Sequence, residues 1–166
     1  MKKILGCFIF LFIFNVSAKN VQLDSSIKNE NVETKGKLST SYLLSKISNV
    51  LLTVATIASN SKDKDIKLQG TLNIVGEVLD VAATAASKDN KRNVVDSEVL
   101  RSLDDLAYKV IGIADQDLNL AAHFLLEMFE LIDQNNEIIC FVEDEESQQK
   151  IKNAIITLQD WLKENS

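Results

Sequence analysis

The sequence predicts an all-α fold: a single-domain bundle of about five helices that follows a cleaved signal peptide. Apolar residues recur at spacings of three and four through five stretches of the chain, which is the period of an amphipathic helix. The 166 residues include no proline and five glycines, whereas strand-rich domains use many of both in their turns. One cysteine remains beyond residue 18, so no disulfide can form within the mature chain and the core must hold the fold.

Residues 1–18 have the three parts of a secretory signal peptide. Lys2 and Lys3 supply positive charge, residues 4–14 are almost all apolar, and a Val-Ser-Ala run ends at Ala18. A membrane span needs about 20 apolar residues, so this stretch is short for one. We therefore expect cleavage after Ala18 and a secreted or periplasmic protein. A lipid attached to Cys7 and an uncleaved anchor are the alternatives.

The composition of the remaining 148 residues fits one domain. Without Lys2 and Lys3, 16 basic residues face 24 acidic ones, a formal charge of −8. This balance argues against a nucleic-acid partner, because phosphates require a basic surface. Residues 19–37 are polar with mixed charges and are expected to form a mobile N-terminal segment. The helical bundle domain is predicted over residues 38–166, with no stable membrane span after signal cleavage.

The first two predicted helices are separated by a polar loop over residues 60–65. The first begins at Ser39, Thr40 or Ser41, each of which can cap it by accepting a hydrogen bond from a free amide of the first turn. The second ends near Ser87. The buried stripe of the first helix is Leu43, Leu44, Ile47, Val50, Leu51, Val54, Ile57 and Ala58, and that of the second is Leu68, Leu72, Val75, Val78, Leu79, Ala82 and Ala86.

The third and fourth helices are predicted to start at acidic residues. Asp96 caps the third helix, and a residue within 115–117 caps the fourth. The fourth helix carries apolar residues on two adjoining faces, so we expect it to be central in the bundle or shared with a partner. Its apolar residues are Leu118, Ala121, Ala122, Leu125, Met128, Phe129 and Ile132 on one face, and Leu120, Phe124 and Leu131 on the other.

The last part of the chain combines a short apolar run with a fifth amphipathic helix. Residues 137–142 are β-branched and aromatic, which predicts either extended chain packed on the bundle or a turn that leads into the last helix. Asp144 is expected to cap that helix, which runs from about Glu145 to Glu164. Trp161 faces inward and is interpreted as a core anchor.

No catalytic or metal-binding pattern is evident. His123 is the chain's one histidine, and Glu127 follows it by one helical turn. A tight metal site needs a third and fourth ligand, so a surface histidine is the simpler interpretation. The loop over residues 62–65 lacks the further oxygen ligands and glycine of a calcium site. The sequence therefore predicts no enzyme, no catalytic residue, no cofactor and no metal.

Two features could serve a protein partner. Cys140 is either a buried, inert thiol or the site of an intermolecular disulfide, which would give a homodimer. The acidic run Glu143, Asp144, Glu145 and Glu146 is either a docking patch for a basic partner or the acidic start of a helix, where carboxylates are favourable.

These observations predict an exported acidic helical protein that binds an unknown protein partner, as a secreted effector, surface antigen or periplasmic inhibitor does. No sequence feature identifies that partner. The alternative is a carrier that holds a small apolar ligand in a cavity between helices, because helical bundles can build such pockets.

Overall fold

A computed structural model describes residues 38–61 and 65–166. The predicted signal peptide (1–18), the predicted mobile segment (19–37) and residues 62–64 of the predicted loop lie outside the described residues.

The described residues form six helices, five of them long. They are α1 (Thr40–Asn60), α2 (Ile66–Lys88), α3 (Glu98–Ile113), α4 (Leu118–Gln134), α5 (Asn136–Ile139) and α6 (Glu145–Glu164). No strand forms within these residues, although an isolated antiparallel bridge joins Ser39 to Val95. The predicted all-α bundle of about five helices is therefore confirmed, with the single turn α5 in addition.

Each long helix begins at a side chain that accepts a hydrogen bond from an amide of its first turn. Ser39, Asp117 and Asp144 cap α1, α4 and α6, as the sequence predicts. The predicted cap of α3 is wrong, because Ser97 rather than Asp96 accepts from the amide of Leu100, at 3.1 Å.

Asp96 has a different role beside this helix start. Its backbone φ is 64°, in the left-handed region, and its carboxylate accepts from Nη2 of Arg101 at 2.7 Å. The carboxylate is therefore engaged by a side chain one turn into α3, while the next residue provides the cap.

The long helices pack as a closed ring in the order α1, α2, α6, α4, α3 and back to α1. The most extensive contact joins α1 to α2, where the Ser48 hydroxyl donates to the carbonyl of Gly76 at 2.8 Å. A Cβ atom at Gly76 would lie 3.4 Å from Cδ2 of Leu52, which is van der Waals contact, so the two helices are closely packed at this glycine.

Helix α4 forms one wall of this ring instead of its centre. It contacts α3, α5 and α6, which cover most of its wide apolar surface, although Leu120 is 40% exposed. Phe124 is partly buried, with the Lys109 ammonium 5.5 Å from its ring centroid. Of the two sequence interpretations, the central position is wrong, and sharing with a partner stays a prediction.

The segment over residues 137–142 turns between α4 and α6. Its first residues belong to the single turn α5, and Ile138, Phe141 and Val142 are buried in the core. The prediction of a lead-in turn is confirmed and that of extended chain is wrong. Three apolar side chains anchor the turn, which explains why so short a helix is held in place.

Trp161 is buried, as predicted, and joins α6 to the start of α2. Its indole N–H donates to Oδ2 of Asp65, while Oδ1 of the same carboxylate accepts from the amide of Leu68 at 2.9 Å. One side chain thus caps a helix and satisfies a buried indole.

Candidate functional site

Cys140 lies at the end of α5 and is partly buried against the core. Its thiol is 3.8 Å from the carbonyl oxygen of Glu137, a distance suited to a weak S–H hydrogen bond. Among the described residues the thiol has no disulfide partner, so neither interpretation of its role is decided.

The four residues of the acidic run Glu143–Glu146 are all exposed, and two of them have local structural roles. Asp144 accepts from the amide of Ser147 at 2.7 Å, and hydrogen bonds from the Ser147 hydroxyl and amide hold the pKa of Asp144 below its usual value. Glu146 pairs with Lys150 at 2.9 Å and raises the pKa of that lysine. Two of the four residues of the predicted docking patch, Asp144 and Glu146, therefore have a structural role within α6.

An open groove of about 770 Å³ lies between the end of α2 and Glu143. Seven of its nine lining residues are of polar or charged type, among them Asp80, Lys88, Asp89 and Lys91. Hydrogen bonds from the Arg92 amide and guanidinium lower the pKa of Asp89, which keeps this carboxylate ionised. The groove is a mixed-charge surface feature, unlike the apolar cavity that the carrier hypothesis requires.

His123 and Glu127 are both exposed on α4. In the described part of the chain, no three His, Cys, Asp or Glu side chains converge as a metal site would require. The predicted pair therefore has no third ligand there.

The outward side of α1 is the surface that sequence reasoning missed. Five of the six exposed residues of α1 form it, and none is charged: Tyr42, Asn49, Leu52, Thr53 and Thr56; the sixth, Asn60, is the last residue of the helix. This composition is unusual in a chain of which 25% is charged. The helical spacing that identifies the buried positions of α1 also identifies its outward positions. The lack of charged residues at those outward positions could therefore have been seen in the sequence.

The one charged residue of α1, Lys46, is already paired. Its ammonium lies 2.5 Å from Oδ1 of Asp104 and 3.8 Å from the centroid of the Tyr108 ring, both on α3. Helices α1 and α3 run parallel here, because Thr40 bonds to Val94 and Lys46 to Asp104. The Lys46 charge is therefore partly neutralised and partly covered.

Two residues of α3 extend this surface beside α1. Tyr108 is 64% exposed and Ile111, three residues later, is 42% exposed, compared with 59% for Tyr42 and 43% for Leu52. We call these residues together the neutral face: Tyr42, Asn49, Leu52, Thr53, Thr56, Tyr108 and Ile111. It holds both tyrosines of the chain.

The opposite composition occurs between Asp115 and Glu146. This stretch contains ten acidic residues and no lysine or arginine, and it spans α4, α5 and the start of α6. Helix α4 does not adjoin α1 in the ring, so the acidic part of the surface and the neutral face belong to different walls.

Comparisons with known proteins give no relative for this chain: no family model, curated protein or solved structure matches it. By length and composition alone, α1 is the one described helix that could cross a membrane. Half of the relevant stretch is buried inside the bundle, as is common for a core helix, so this is weak support for a span.

Proposed function

We propose that this chain is an exported, non-catalytic protein that binds a protein partner through the neutral face. The observation that carries the proposal is the outward side of α1, a helix of 21 residues whose exposed positions hold no charge. Export rests on the signal-peptide pattern of residues 1–18. Secretion and a periplasmic location are both consistent with it.

The chemistry of the neutral face supports protein binding. The centres of protein interfaces are depleted of charged residues and enriched in aromatic ones, tyrosine among them. Tyr42 and Tyr108 supply large apolar rings with polar hydroxyl ends, and Leu52 and Ile111 add aliphatic surface. Because Lys46 is held by Asp104, a partner would not have to remove an isolated charge from water.

The acidic run remains a second proposed contact for a basic partner. Glu143 and Glu145 are exposed, and within residues 38–61 and 65–166 neither caps a helix as Asp144 does nor forms an ion pair as Glu146 does. Like-signed surface charge mainly accelerates encounter with an oppositely charged protein. We propose that the neutral face provides the binding affinity and that the acidic residues affect the association rate.

The test is site-specific photo-crosslinking in the producing cell. A photoreactive residue at Thr53 samples the neutral face, and one at Lys152 samples the exposed side of α6 as a matched control. We expect a discrete covalent adduct with one protein from Thr53 and none from Lys152. Adducts of equal yield from both positions, or none from any position on the neutral face, would refute the proposal.

The carrier function stays a prediction. Native mass spectrometry of protein purified from its own source addresses it, because a bound apolar ligand would add a defined mass. An unliganded mass would exclude the carrier and leave the protein-binding proposal intact.

A further inference from the structure

We propose that the occupant of the neutral face is a second copy of this chain, with α1 packed antiparallel on its counterpart about a two-fold axis. This inference rests on the proposed function, since it assigns a partner to the same surface. It leaves the acidic run without a role in that contact, because a second copy of this acidic chain is not a basic partner. Closed two-fold dimers are the commonest homo-oligomers, and they require a patch that is compatible with itself.

The distribution of charge favours this pairing. Residues 115–146 carry ten acidic side chains without a basic one, so a two-fold contact through that surface would place like charges opposite each other. The seven residues of the neutral face carry no charge, and the exposed charged residues beside Tyr108 along α3, Asp105 and Lys109, are opposite in sign. Because α4 and α6 lie across the ring from α1, pairing through α1 keeps the two acidic surfaces on opposite outer sides of the dimer.

The spacing of side chains on α1 is compatible with its own antiparallel copy. Asn49 lies midway between Tyr42 and Thr56, with seven residues, about 10 Å of helix, on each side. A two-fold axis near Asn49 would bring each Tyr42 ring over the hydroxyl-bearing end of the other α1. The two Asn49 amides would meet at the axis, where each can both donate and accept.

The Lys46–Tyr108 contact reduces the entropic cost of such an interface. The ammonium lies 3.8 Å from the ring centroid, and the bond from Lys46 to Asp104 fixes the ammonium. The ring is therefore ordered before association, which lowers the entropy lost on binding. One pair of helices with two flanking residues makes a small interface, so we expect a dissociation constant in the micromolar range.

The test is sedimentation velocity on the chain with its cell-processed N-terminus, in reductant, from about 1 to 500 μM. We expect the mass to rise from monomer to dimer. Asn49→Asp places one negative charge from each copy at the two-fold axis, where the two charges repel each other. It should therefore raise the dissociation constant of the dimer at least tenfold. Asn153→Asp makes the same change on the exposed side of α6, where Asn153 accepts from Gln149 at 2.9 Å, and should have no effect.

A charge swap sharpens the test. Asn49→Asp mixed with Asn49→Lys should form a heterodimer more readily than either variant forms a homodimer, because opposite charges then meet at the axis. Circular dichroism should show all variants equally helical. A monomer at every concentration, or equal weakening by the changes at Asn49 and Asn153, would overturn the inference.

The outcomes separate this inference from the proposed function. A monomer that crosslinks through Thr53 to a different protein would overturn the self-pairing and support the protein-binding proposal. A dimer seen without reductant and lost with it would assign the contact to Cys140 and overturn pairing through α1. If neither a crosslink through Thr53 nor a dimer is observed, both this inference and the proposed function are refuted.

Discussion

Helices α1 and α6 are nearly equal in length and both pack an apolar stripe into the bundle, yet they differ in the number of charged residues on their outward sides. Each begins at a capping side chain and buries a stripe at helical spacing. Seven of the 20 residues of α6 are charged, compared with one of the 21 in α1. Solubility explains a charged outer side such as that of α6. It does not explain the neutral face, which is why function is assigned to α1.

The largest predicted effect tests whether the two helices are equivalent on their inward sides. Leu51 of α1 and Leu158 of α6 are fully buried, so Leu51→Ala and Leu158→Ala should each lower the free energy of unfolding by about 2–5 kcal/mol. Leu52, the next residue along α1, is 43% exposed, so Leu52→Ala should lower the free energy of unfolding by about 1 kcal/mol at most. Urea denaturation monitored by circular dichroism measures all three. A large loss from Leu52→Ala would mean that its contact with α2 stabilises the fold and that its exposure is no sign of function.

The second prediction concerns Asp65, which joins the start of α2 to α6. Asp65→Ala removes a helix cap and the acceptor of the Trp161 indole, and should lower the free energy of unfolding by about 2–3 kcal/mol. Asp117→Ala removes the cap of α4 alone and should cost about 1 kcal/mol. Trp161 is the one tryptophan, so its fluorescence reports on the site directly. Equal losses from the two changes would show that the indole bond contributes nothing.

The third prediction uses two glycines of α2, one facing α1 and one in open space. Gly76→Val should destabilise the fold by about 1–3 kcal/mol, because a Cβ atom already reaches contact distance of Leu52 at 3.4 Å and the two Cγ methyl groups of valine need further room between α1 and α2. Gly70→Ala meets nothing within 4 Å and should stabilise the fold by about 0.5–1 kcal/mol through helix propensity. Thermal unfolding of both variants provides the comparison. A neutral result for Gly76→Val would mean that α1 and α2 can separate without loss.

The sequence predicted local features of this fold better than it predicted contacts between helices. Caps at Ser39, Asp117 and Asp144 follow from residue type and the start of an apolar period. The choice between Asp96 and Ser97 does not, because both residue types are good caps, and helical spacing does not reveal that Asp96 has a left-handed backbone and pairs with Arg101. Trp161 was recognisable as a core residue, whereas its indole bond to Asp65 depends on how α2 and α6 pack.

The part of the neutral face that α3 contributes could not be predicted for the same reason. Tyr108 joins α1 through Lys46, and the pairing of Lys46 with Asp104 spans 58 positions along the chain. Helical period cannot reveal that α1 and α3 run parallel as neighbours. The acidic residues from 115 to 146 were visible in the sequence, but their separation from the neutral face required the order of helices in the ring.

The smallest predicted effect concerns pH, which should affect the start of α6 and not that of α1. At the start of α1, backbone N–H groups donate to the Ser39 hydroxyl and to Oδ1 of Asn93, and neither acceptor titrates. The cap of α6 is Asp144, and hydrogen bonds from Ser147 lower its pKa from 3.8. A carboxylate with a lowered folded-state pKa stabilises the fold fully above its unfolded value, and this stability is lost as pH falls through the folded value.

Asp144→Asn keeps the cap's acceptor oxygen but removes the titration, so it isolates the pH-dependent part of the cap. The stability difference between wild type and Asp144→Asn should be constant above about pH 5 and should shrink as pH falls below 3.8. Ser39→Asn, the matched change at α1, should show a difference from wild type that does not vary over this range. Urea denaturation at pH 6, 4 and 2.5 measures both. A pH-independent difference at Asp144 would mean that the carboxylate is not hydrogen-bonded to Ser147 in solution, and that the two helix starts are held in the same way.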